Sequence, residues 1–446
     1  MKNKLRATPS PSSTQAPLSL RIPERILTLY LRPVMHSMLN IRQEAGLSLP
    51  EAQPGRKYSL YIHIPFCEVL CPYCSFNRFS FREPLARSYF QDLNAELELV
   101  SNLGYQFDSL YIGGGTPTIL IDELIGIIDH ARKRFAIREV SCETNPNHLV
   151  PGIIDRLAGR VDRLSVGVQS FTPEILKAVR RLDKFGTPQQ ILDRIAYAAP
   201  MFPTFNIDMI FNFPGQTAAM IRQDVEAVTR SAANQVTFYP LMVSRGLMRS
   251  IGTMGKYDPR TELDLYRMIQ QEIGQSFQPE SVWTFSRQHH ELIDEYIAGA
   301  EEYLGVGSGS FSYLDGCLYA NTFSLTDYHE AITRHQVPLT GVKHFSPAEQ
   351  MKYRFLMEFF NRQMDRNRFQ KDFGLPANVG LWKEILFMKL FGAIHNDGAG
   401  HYLLDVQKQY LIVVMMREFF NSVNQLRDQA RQSLSAAERE LCQVDI

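Results

Sequence analysis

The sequence has no long hydrophobic run, no excess of one charge and few cysteines, and each of these absences excludes a class of protein. No stretch approaches the roughly 20 consecutive apolar residues of a membrane-spanning helix. Lysine plus arginine equal aspartate plus glutamate at 47 each, so no overall positive field attracts nucleic acid and we expect no such partner. Six cysteines in 446 residues are too few for a disulfide framework.

The N-terminal segment has no targeting signal of the secretory kind. It begins with basic residues but turns polar and proline-rich where a signal peptide has its apolar core, so we predict a cytoplasmic protein with residues 1–19 disordered. Residues 20–56 are predicted to form a helical extension, in which Pro33 interrupts a single helix. This extension either packs against the rest of the protein, the commoner case, or lies peripherally on the inner face of a membrane.

Apolar segments alternate with helical segments through the first half of the chain. The candidate helices lie near 83–103, 119–135, 150–159, 172–182, 187–199 and 216–232. Alternation of this kind predicts parallel strands joined by right-handed crossovers, which is an α/β fold. The candidate strands are 58–63, 107–112, 138–143, 162–168, 204–211 and 235–241.

Three cysteines, Cys67, Cys71 and Cys74, follow the first candidate strand with the spacing C-x3-C-x2-C. A loop this short places three thiolates around one centre, and thiolate is the soft ligand that iron-sulfur clusters select. A four-iron cluster held here would keep one iron without a protein ligand, open to another molecule. The alternative is a structural zinc, which requires a fourth cysteine or histidine at ligand spacing that does not follow.

This spacing, with the aromatic Tyr73 beside the last cysteine, resembles the radical SAM superfamily. More narrowly, it resembles the branch that contains oxygen-independent coproporphyrinogen oxidase, the heme chaperones and the class C methyltransferases. Five motifs carry the resemblance in order: YIHIPFC (61–67), YIGGGTPT (111–118), ETNP (143–146), RLSVGVQSF (163–171) and NIDMIFNFPGQT (206–217). The resemblance implies a partial (β/α)6 TIM barrel over 57–245, a barrel extension that covers the active site over 246–342, and a mainly helical C-terminal domain over 343–446.

The same resemblance implies the cofactors and an electron source. Cys67, Cys71 and Cys74 are expected to hold a [4Fe-4S] cluster whose open iron binds S-adenosylmethionine (SAM), with electrons from a low-potential donor such as flavodoxin or ferredoxin. Two SAM molecules are expected, as in the class C enzymes. From the residues alone, the glycine loop, Gly113-Gly114-Gly115-Thr116, is equally a tight turn. The charged residues Glu143, Arg181 and Asp208 are equally solvated surface groups. Expected contacts to the first SAM are Tyr61, Gly113, Glu143 and Arg181, and to the second Gly114, Gly115, Gln169, Asp208, Pro240 and Phe311. Tyr73 and Thr116 are also expected to contact the cofactors.

Departures from the better-known relatives, after the last cysteine and at 211–215, make the chain resemble the menaquinone C8-methyltransferases most. We therefore predict methylation of an sp2 carbon of a quinone, or of another apolar ring substrate. Two alternatives stay open: a radical SAM enzyme of tetrapyrrole metabolism, acting in anaerobic heme degradation or coproporphyrinogen oxidation, and a heme chaperone without radical turnover. His289 and His290 are candidate acceptors of the ring proton, or else solvent-facing histidines.

Overall fold

One large sheet organises the chain in the computed structural model, which describes residues 18–44, 46–288 and 302–443, with side chains described from residue 26 onward. Three short strands, β16 to β18, form a separate sheet near the C-terminus, and β3 pairs only with β4. In chain order the strands are β1 (Arg42–Gln43), β2 (Tyr58–Ile64), β3 (Phe66–Cys67), β4 (Phe79–Ser80), β5 (Phe107–Gly114), β6 (Glu139–Thr144), β7 (Arg163–Gln169), β8 (Thr204–Phe211), β9 (Gln235–Pro240), β10 (Gln278–Pro279), β11 (Thr284–Ser286), β12 (Tyr303–Val306), β13 (Phe311–Leu314), β14 (Cys317–Asn321), β15 (Leu339–His344), β16 (Gln363–Asp365), β17 (Ile394–Asn396) and β18 (His401–Leu404).

Helices connect the strands of the central sheet and build most of the C-terminal part. Several begin at residues whose side chains accept from the first free backbone N–H groups, as Thr187 and Ser346 do in capping boxes. In chain order the helices are α1 (Leu18–Met38), α2 (Glu83–Asn102), α3 (Ile121–Arg134), α4 (Pro151–Leu157), α5 (Pro173–Ala178), α6 (Leu182–Phe185), α7 (Pro188–Ala198), α8 (Ala218–Arg230), α9 (Met248–Gly252), α10 (Glu262–Ile273), α11 (Leu325–Thr333), α12 (Pro347–Phe360), α13 (Arg366–Phe373), α14 (Ala377–Gly380), α15 (Trp382–Leu390), α16 (Tyr410–Ala430) and α17 (Ala436–Cys442).

Six adjacent strands, β2-β5-β6-β7-β8-β9, are parallel and form the centre of the large sheet. All seven residues of β2 are buried, as expected for a parallel strand with both faces covered. Helices follow each of the first five strands and cross back over the sheet. The α/β prediction and its six parallel strands are confirmed, and the carboxyl ends of these strands meet at one rim.

Further strands extend the sheet beyond both ends of the six-stranded parallel set. On one side β12 pairs parallel with β2, and β13, β14, β15 and β1 continue it in antiparallel order. On the other side β11 and β10 follow β9. The region predicted as a barrel extension therefore supplies strands to both edges of the barrel sheet.

The N-terminal helix α1 packs along the long helix α16 near the C-terminus. It runs through Pro33 without a break, so the predicted interruption is wrong. Leu31 and Met35, on either side of the proline, are both buried, and Arg32 Nε donates to Glu418 of α16 at 2.9 Å. These contacts hold the helix together at a residue that would break it in isolation. In the part of the chain that the structure describes, no helix is long and apolar enough to cross a membrane.

The C-terminal part is mostly helical, but it contains the small sheet β16-β18-β17, which sequence analysis did not predict. The first seven residues of α16, Tyr410 to Met416, are all buried. An apolar run of this kind reads as a core helix, while the strands of the small sheet are three or four residues long and leave little pattern to detect.

Candidate functional site

A cavity of about 270 Å3 opens at the rim where the parallel strands end, and all three motif cysteines line it. Side chains from the carboxyl ends of all six parallel strands, from the barrel extension and from α16 surround the same space. This is the position where loops of parallel α/β barrels converge on a site. Of the sequence-predicted residues, the cavity is lined by Tyr61, Cys67, Cys71, Tyr73, Cys74, Gly114, Gly115, Glu143, Gln169, Arg181, Asp208, Pro240 and Phe311.

The cysteine loop is folded back on itself and largely buried. Cys67 ends β3, and the backbone N–H of Cys74 donates to the carbonyl of Cys71 at 3.2 Å. Burial raises the pKa of the Cys67 thiol to about 12, and iron coordination is the kind of interaction that deprotonates such a thiol. Across residues 26–44, 46–288 and 302–443, no three histidine, cysteine or acidic side chains converge on one point as ligands of a single ion.

Arg78 is buried against the cysteine loop, residues 67–74, and donates hydrogen bonds to its backbone. Its Nη2 donates to the carbonyls of Cys71 at 2.9 Å and Cys74 at 3.2 Å, and the side chain lines the cavity. Its Nη1 is buried without a hydrogen-bond partner in the described structure. A buried guanidinium here would offset the negative charge of the three cysteines when they bind iron as thiolates. Sequence analysis noted departures from relatives after the last cysteine but assigned no role to Arg78.

Arg181 approaches the same loop from the start of α6. It donates from Nη1 to Cys71 Sγ at 3.4 Å and from Nη2 to Asn145 Oδ1 at 2.8 Å, and it also donates to the carbonyl of Gly167. The ring of Phe185 lies 4.0 Å from its guanidinium carbon. Its Nε is buried and has no partner among the described residues. Arg181 is 4 % exposed, so the surface alternative is wrong for this residue.

The glycine loop lies against two side chains of the rim. Gly114, with φ of 117°, donates its N–H to Glu143 at 3.1 Å, and the Tyr111 hydroxyl donates to the same carboxylate at 2.9 Å. A Cβ on Gly114 would lie 2.6 Å from the His63 ring, and one on Gly115 would lie 2.6 Å from the Phe66 carbonyl oxygen. The backbone of the glycine loop is therefore in direct contact with its neighbours and leaves no room for side chains. A plain surface turn has no such requirement.

His63 orients Tyr61 on strand β2. Its Nε2 lies 2.8 Å from the carbonyl oxygen of Asn77, which can only accept, so Nε2 carries the proton and Nδ1 accepts from the Tyr61 hydroxyl at 2.9 Å. Burial lowers the pKa of His63 to about 4, which keeps the ring neutral. Both residues line the cavity.

Polar side chains on β7 and β8 form another wall of the cavity. Asp208 accepts from Ser165 Oγ at 2.8 Å and from Asn206 Nδ2 at 2.7 Å. Gln169 has a left-handed backbone with φ of 75°, at an irregularity in the register between β7 and β8. An amide residue in this conformation turns its side chain away from the regular pleat.

The remaining predicted residues lie elsewhere. Gly113 and Thr116 sit behind the cavity wall, Gly113 against the Glu143 carboxylate and Thr116 accepting from Asn145 at 2.8 Å. His289 and His290 fall outside the described residues. Sequence reasoning missed further lining residues that come from distant segments: His63, Asn145, Asn424 and Arg427.

The lining residues fit an iron-sulfur cluster with SAM. Cys67, Cys71 and Cys74 would hold the cluster, because their thiols share one cavity. Buried N–H groups of Arg78 and Arg181 lack partners in the described structure and can donate to an anionic group. The glycine loop admits a ligand against bare backbone, and carboxylates stand at Glu143 and Asp208.

Comparisons with known proteins agree with this chemistry. The family model of the radical SAM superfamily matches residues 61–228. The heme chaperone HemW of Bacillus subtilis (strain 168) is 26% identical over 363 residues, which cover 77% of this chain and 94% of that protein. The oxygen-independent coproporphyrinogen III oxidase of Escherichia coli (strain K12) is 26% identical over 321 residues, which cover 65% of this chain and 68% of that protein.

Among solved structures, coproporphyrinogen III oxidase (HemN) from Escherichia coli has the same fold. The TM-score is 0.71 at 21% identity, with 82% of this chain and 91% of that chain covered.

The prediction of a quinone methyltransferase is wrong. The relatives found are named heme chaperones and coproporphyrinogen III oxidases, and neither class acts on menaquinone by name. The departures at 75–79 and 211–215 gave too little information to assign a subfamily. The cofactors are a [4Fe-4S] cluster and SAM. Residues 61–228 match the radical SAM superfamily, and the chain is similar to the HemW heme chaperones and the oxygen-independent coproporphyrinogen III oxidases.

Proposed function

We propose that this chain is a radical SAM enzyme that acts on a tetrapyrrole. The observation that carries the proposal is the single cavity in which the cysteine loop, the glycine loop, Glu143, Arg181 and Asp208 come together. The relatives named coproporphyrinogen III oxidase and heme chaperone supply the substrate class. When bound, a reduced [4Fe-4S] cluster with SAM supplies a carbon radical that can remove a hydrogen atom from an unactivated carbon.

The chain's own residues bind and orient SAM in this proposal. Arg181 donates to its carboxylate, and the carbonyl groups of the glycine loop and the Glu143 carboxylate accept from its ammonium. Tyr111 and Gly114 donate to Glu143 and hold it in place. Asp208, held by Ser165 and Asn206, is placed to accept from ribose hydroxyls. The assignment of contacts to two SAM molecules is part of this proposal, without an order of binding.

The cavity also excludes water from the reacting atoms. Leu241, Phe311 and Phe420 line it beside the polar groups, and apolar walls protect a reactive carbon centre from side reactions. No general acid or base need act at this step, which is expected when the cofactor performs the difficult chemistry.

A second candidate function is heme transfer without radical turnover. It is favoured by the match to HemW, which extends over 94% of that protein. The residues proposed to orient SAM have no evident use in a chaperone that never cleaves it, so we favour the enzyme.

The test is anaerobic turnover of the reconstituted full-length protein with SAM, a low-potential reductant and coproporphyrinogen III, with products read by mass spectrometry. We expect 5′-deoxyadenosine to form together with a modified tetrapyrrole. Cys71→Ala removes a cluster ligand and should abolish both products, whereas Cys442→Ala, a buried cysteine outside the cavity, should leave both in place.

Two outcomes would reject the proposed function. Stoichiometric heme binding with no SAM cleavage under any reductant would favour the chaperone. SAM cleavage without any change in the tetrapyrrole would place the substrate in another class.

A further inference from the structure

A cleft of about 960 Å3 lies beside the cavity that the three motif cysteines line, which is called the cysteine cavity below. It is formed by α1, by the segment that follows β9 and by α16. Its charged lining residues are four arginines and two carboxylates: Arg32, Arg245, Arg249, Arg417, Glu418 and Asp428.

Both carboxylates of the cleft are already compensated. Glu418 accepts from Arg417 at 3.2 Å and from Arg32 at 2.9 Å. Asp428 accepts from Arg431 at 3.1 Å and from the backbone N–H of Gly246 at 2.9 Å. The acidic groups are therefore not available to neutralise further cations.

Two of the four arginines remain without an acidic partner in the described structure. Arg245 and Arg249 are exposed at the mouth of the cleft, four residues apart, and Arg249 lies on the short helix α9. Arg417, by contrast, is buried and bound to Glu262 and Glu418. The cleft thus presents two free guanidinium groups to any ligand that enters it.

The cleft and the cysteine cavity share one wall. Leu241 and Met242 line the cavity, and the next three residues of the same segment, 243–245, line the cleft. Helix α16 does the same, since Phe420, Asn424 and Arg427 line the cavity whereas Asn421, Gln425 and Asp428 line the cleft.

Two hydrogen bonds hold this shared wall in place. Val243 N–H donates to Asn421 at 2.9 Å, and Gly246 N–H donates to Asp428. A Cβ on Gly246 would lie 2.7 Å from the Asp428 carboxyl carbon, so the backbone of the segment is in close contact with this side chain. The segment after β9 is thereby held to helix α16 between the two spaces.

We propose that the cleft binds the carboxylate side chains of the tetrapyrrole, through Arg245 and Arg249. This inference rests on the proposed function. A guanidinium receives a carboxylate in a two-point hydrogen-bonded fork, and two such groups four residues apart match a ligand with several carboxylates on one edge. The position next to the cysteine cavity would hold the macrocycle close to the reacting atoms while its charged groups stay in the cleft.

The test is binding of coproporphyrin III, followed by fluorescence quenching, to the reconstituted full-length protein and to Arg245→Gln, Arg249→Gln and the double variant. We expect about tenfold weaker binding for each single variant and about a hundredfold for the double variant, because each removes a charge-assisted contact. Arg230→Gln, an exposed arginine on α8 outside the cleft, should bind as the original protein does. Because Arg245 and Arg249 are exposed, the variants should keep their melting temperature.

Further arms identify the ligand chemistry. The tetramethyl ester of coproporphyrin III, dispersed in dilute detergent, should bind the original protein and the double variant alike, since it lacks carboxylates. Unchanged coproporphyrin binding by the double variant would overturn the inference and leave the proposed function standing. No binding of coproporphyrin or heme to the original protein would reject the proposed function itself. Displacement of coproporphyrin by millimolar inorganic phosphate would also overturn the inference about the cleft, because it would show that the cleft is a general anion site.

Discussion

Two buried arginines approach the cysteine loop from different parts of the chain. Arg78 binds the carbonyls of the loop from four residues downstream, whereas Arg181 reaches Cys71 from beyond strand β7. Each leaves one buried N–H group without a partner in the described structure. Because a buried donor without a partner costs about 1–3 kcal/mol, both groups are well placed to donate to a bound anionic cofactor.

At the same scale, Gly115 should tolerate no side chain. Gly115→Ala would bring a Cβ to 2.6 Å from the backbone carbonyl of Phe66, the residue before Cys67. We expect a loss of about 1–3 kcal/mol in the free energy of unfolding and a reduced iron content after reconstitution. Thermal melts and iron analysis would measure both.

The matched control is Gly126→Ala, in helix α3. No atom lies within 4 Å of a Cβ built there, so this change should stabilise the protein by about 0.5–1 kcal/mol. Equal effects of the two substitutions would contradict the close packing of the glycine loop.

Sequence alone could predict the residues of the site that lie within local motifs. The spacing of the three cysteines in a short loop predicts an iron-sulfur site by itself. Glu143, Arg181 and Asp208 were predicted from the family resemblance that the motifs carry. Asn424 and Arg427 could not be found in this way, because their place beside the loop depends on contacts across some 350 residues. No local pattern encodes such a contact.

Among the elements, helix α16 is the one that joins the C-terminal part to the site. Ser75 Oγ donates to Asn424 at 2.7 Å, and Arg431, just after the helix, donates to the carbonyls of Ser75 and Phe76. The Phe76 ring lies 4.6 Å from the Arg427 guanidinium carbon. These contacts fix the residues that directly follow the last cysteine.

Arg431→Ala should therefore loosen the cysteine loop. The substitution removes a buried guanidinium and leaves two carbonyl groups without their donor, at a cost of about 2 kcal/mol. We expect the visible absorption of the reconstituted cluster to bleach faster in the presence of an iron chelator. Arg334→Ala, which removes an exposed arginine paired with Glu330, should bleach at the original rate; equal rates for the two variants would show that α16 does not support the loop.

Helix α1 offers a second test at this scale, because its two faces differ. Leu31 is 7 % exposed whereas Leu29 is 77 % exposed. Leu31→Ala should lower the free energy of unfolding by about 3 kcal/mol, and Leu29→Ala should change it by less than about 0.5 kcal/mol. Denaturant titrations of both variants would measure this; a similar small effect for both would mean that α1 is not part of the folded core.

The helices and strands were predicted accurately where an apolar pattern extends over many residues. Prediction failed where tertiary packing determines the local structure. The six parallel strands were predicted within two residues at either end. The path of α1 through Pro33 was not, because burial of its neighbours against α16 outweighs the local preference of proline. The small sheet β16-β18-β17 was missed because its strands are too short to carry a period.

At the scale of the whole molecule, the barrel, its extension and the C-terminal part meet around one cavity. The barrel supplies the cysteines and the polar groups, the extension supplies Phe311, and α16 supplies Asn424 and Arg427. The cleft with Arg245 and Arg249 lies on the far side of the shared wall. In the proposed function, the ring of the tetrapyrrole lies toward the cavity and its carboxylates lie in the cleft.

The most direct measurement of the central claim is the mass of the 5′-deoxyadenosine formed in anaerobic turnover with coproporphyrinogen III deuterated at its side-chain carbons. If the protein removes hydrogen from a tetrapyrrole, deuterium should appear in the 5′-deoxyadenosine, and no 5′-deoxyadenosine should form with Cys71→Ala. Unlabelled 5′-deoxyadenosine, formed at the same rate with and without the tetrapyrrole, would contradict the account.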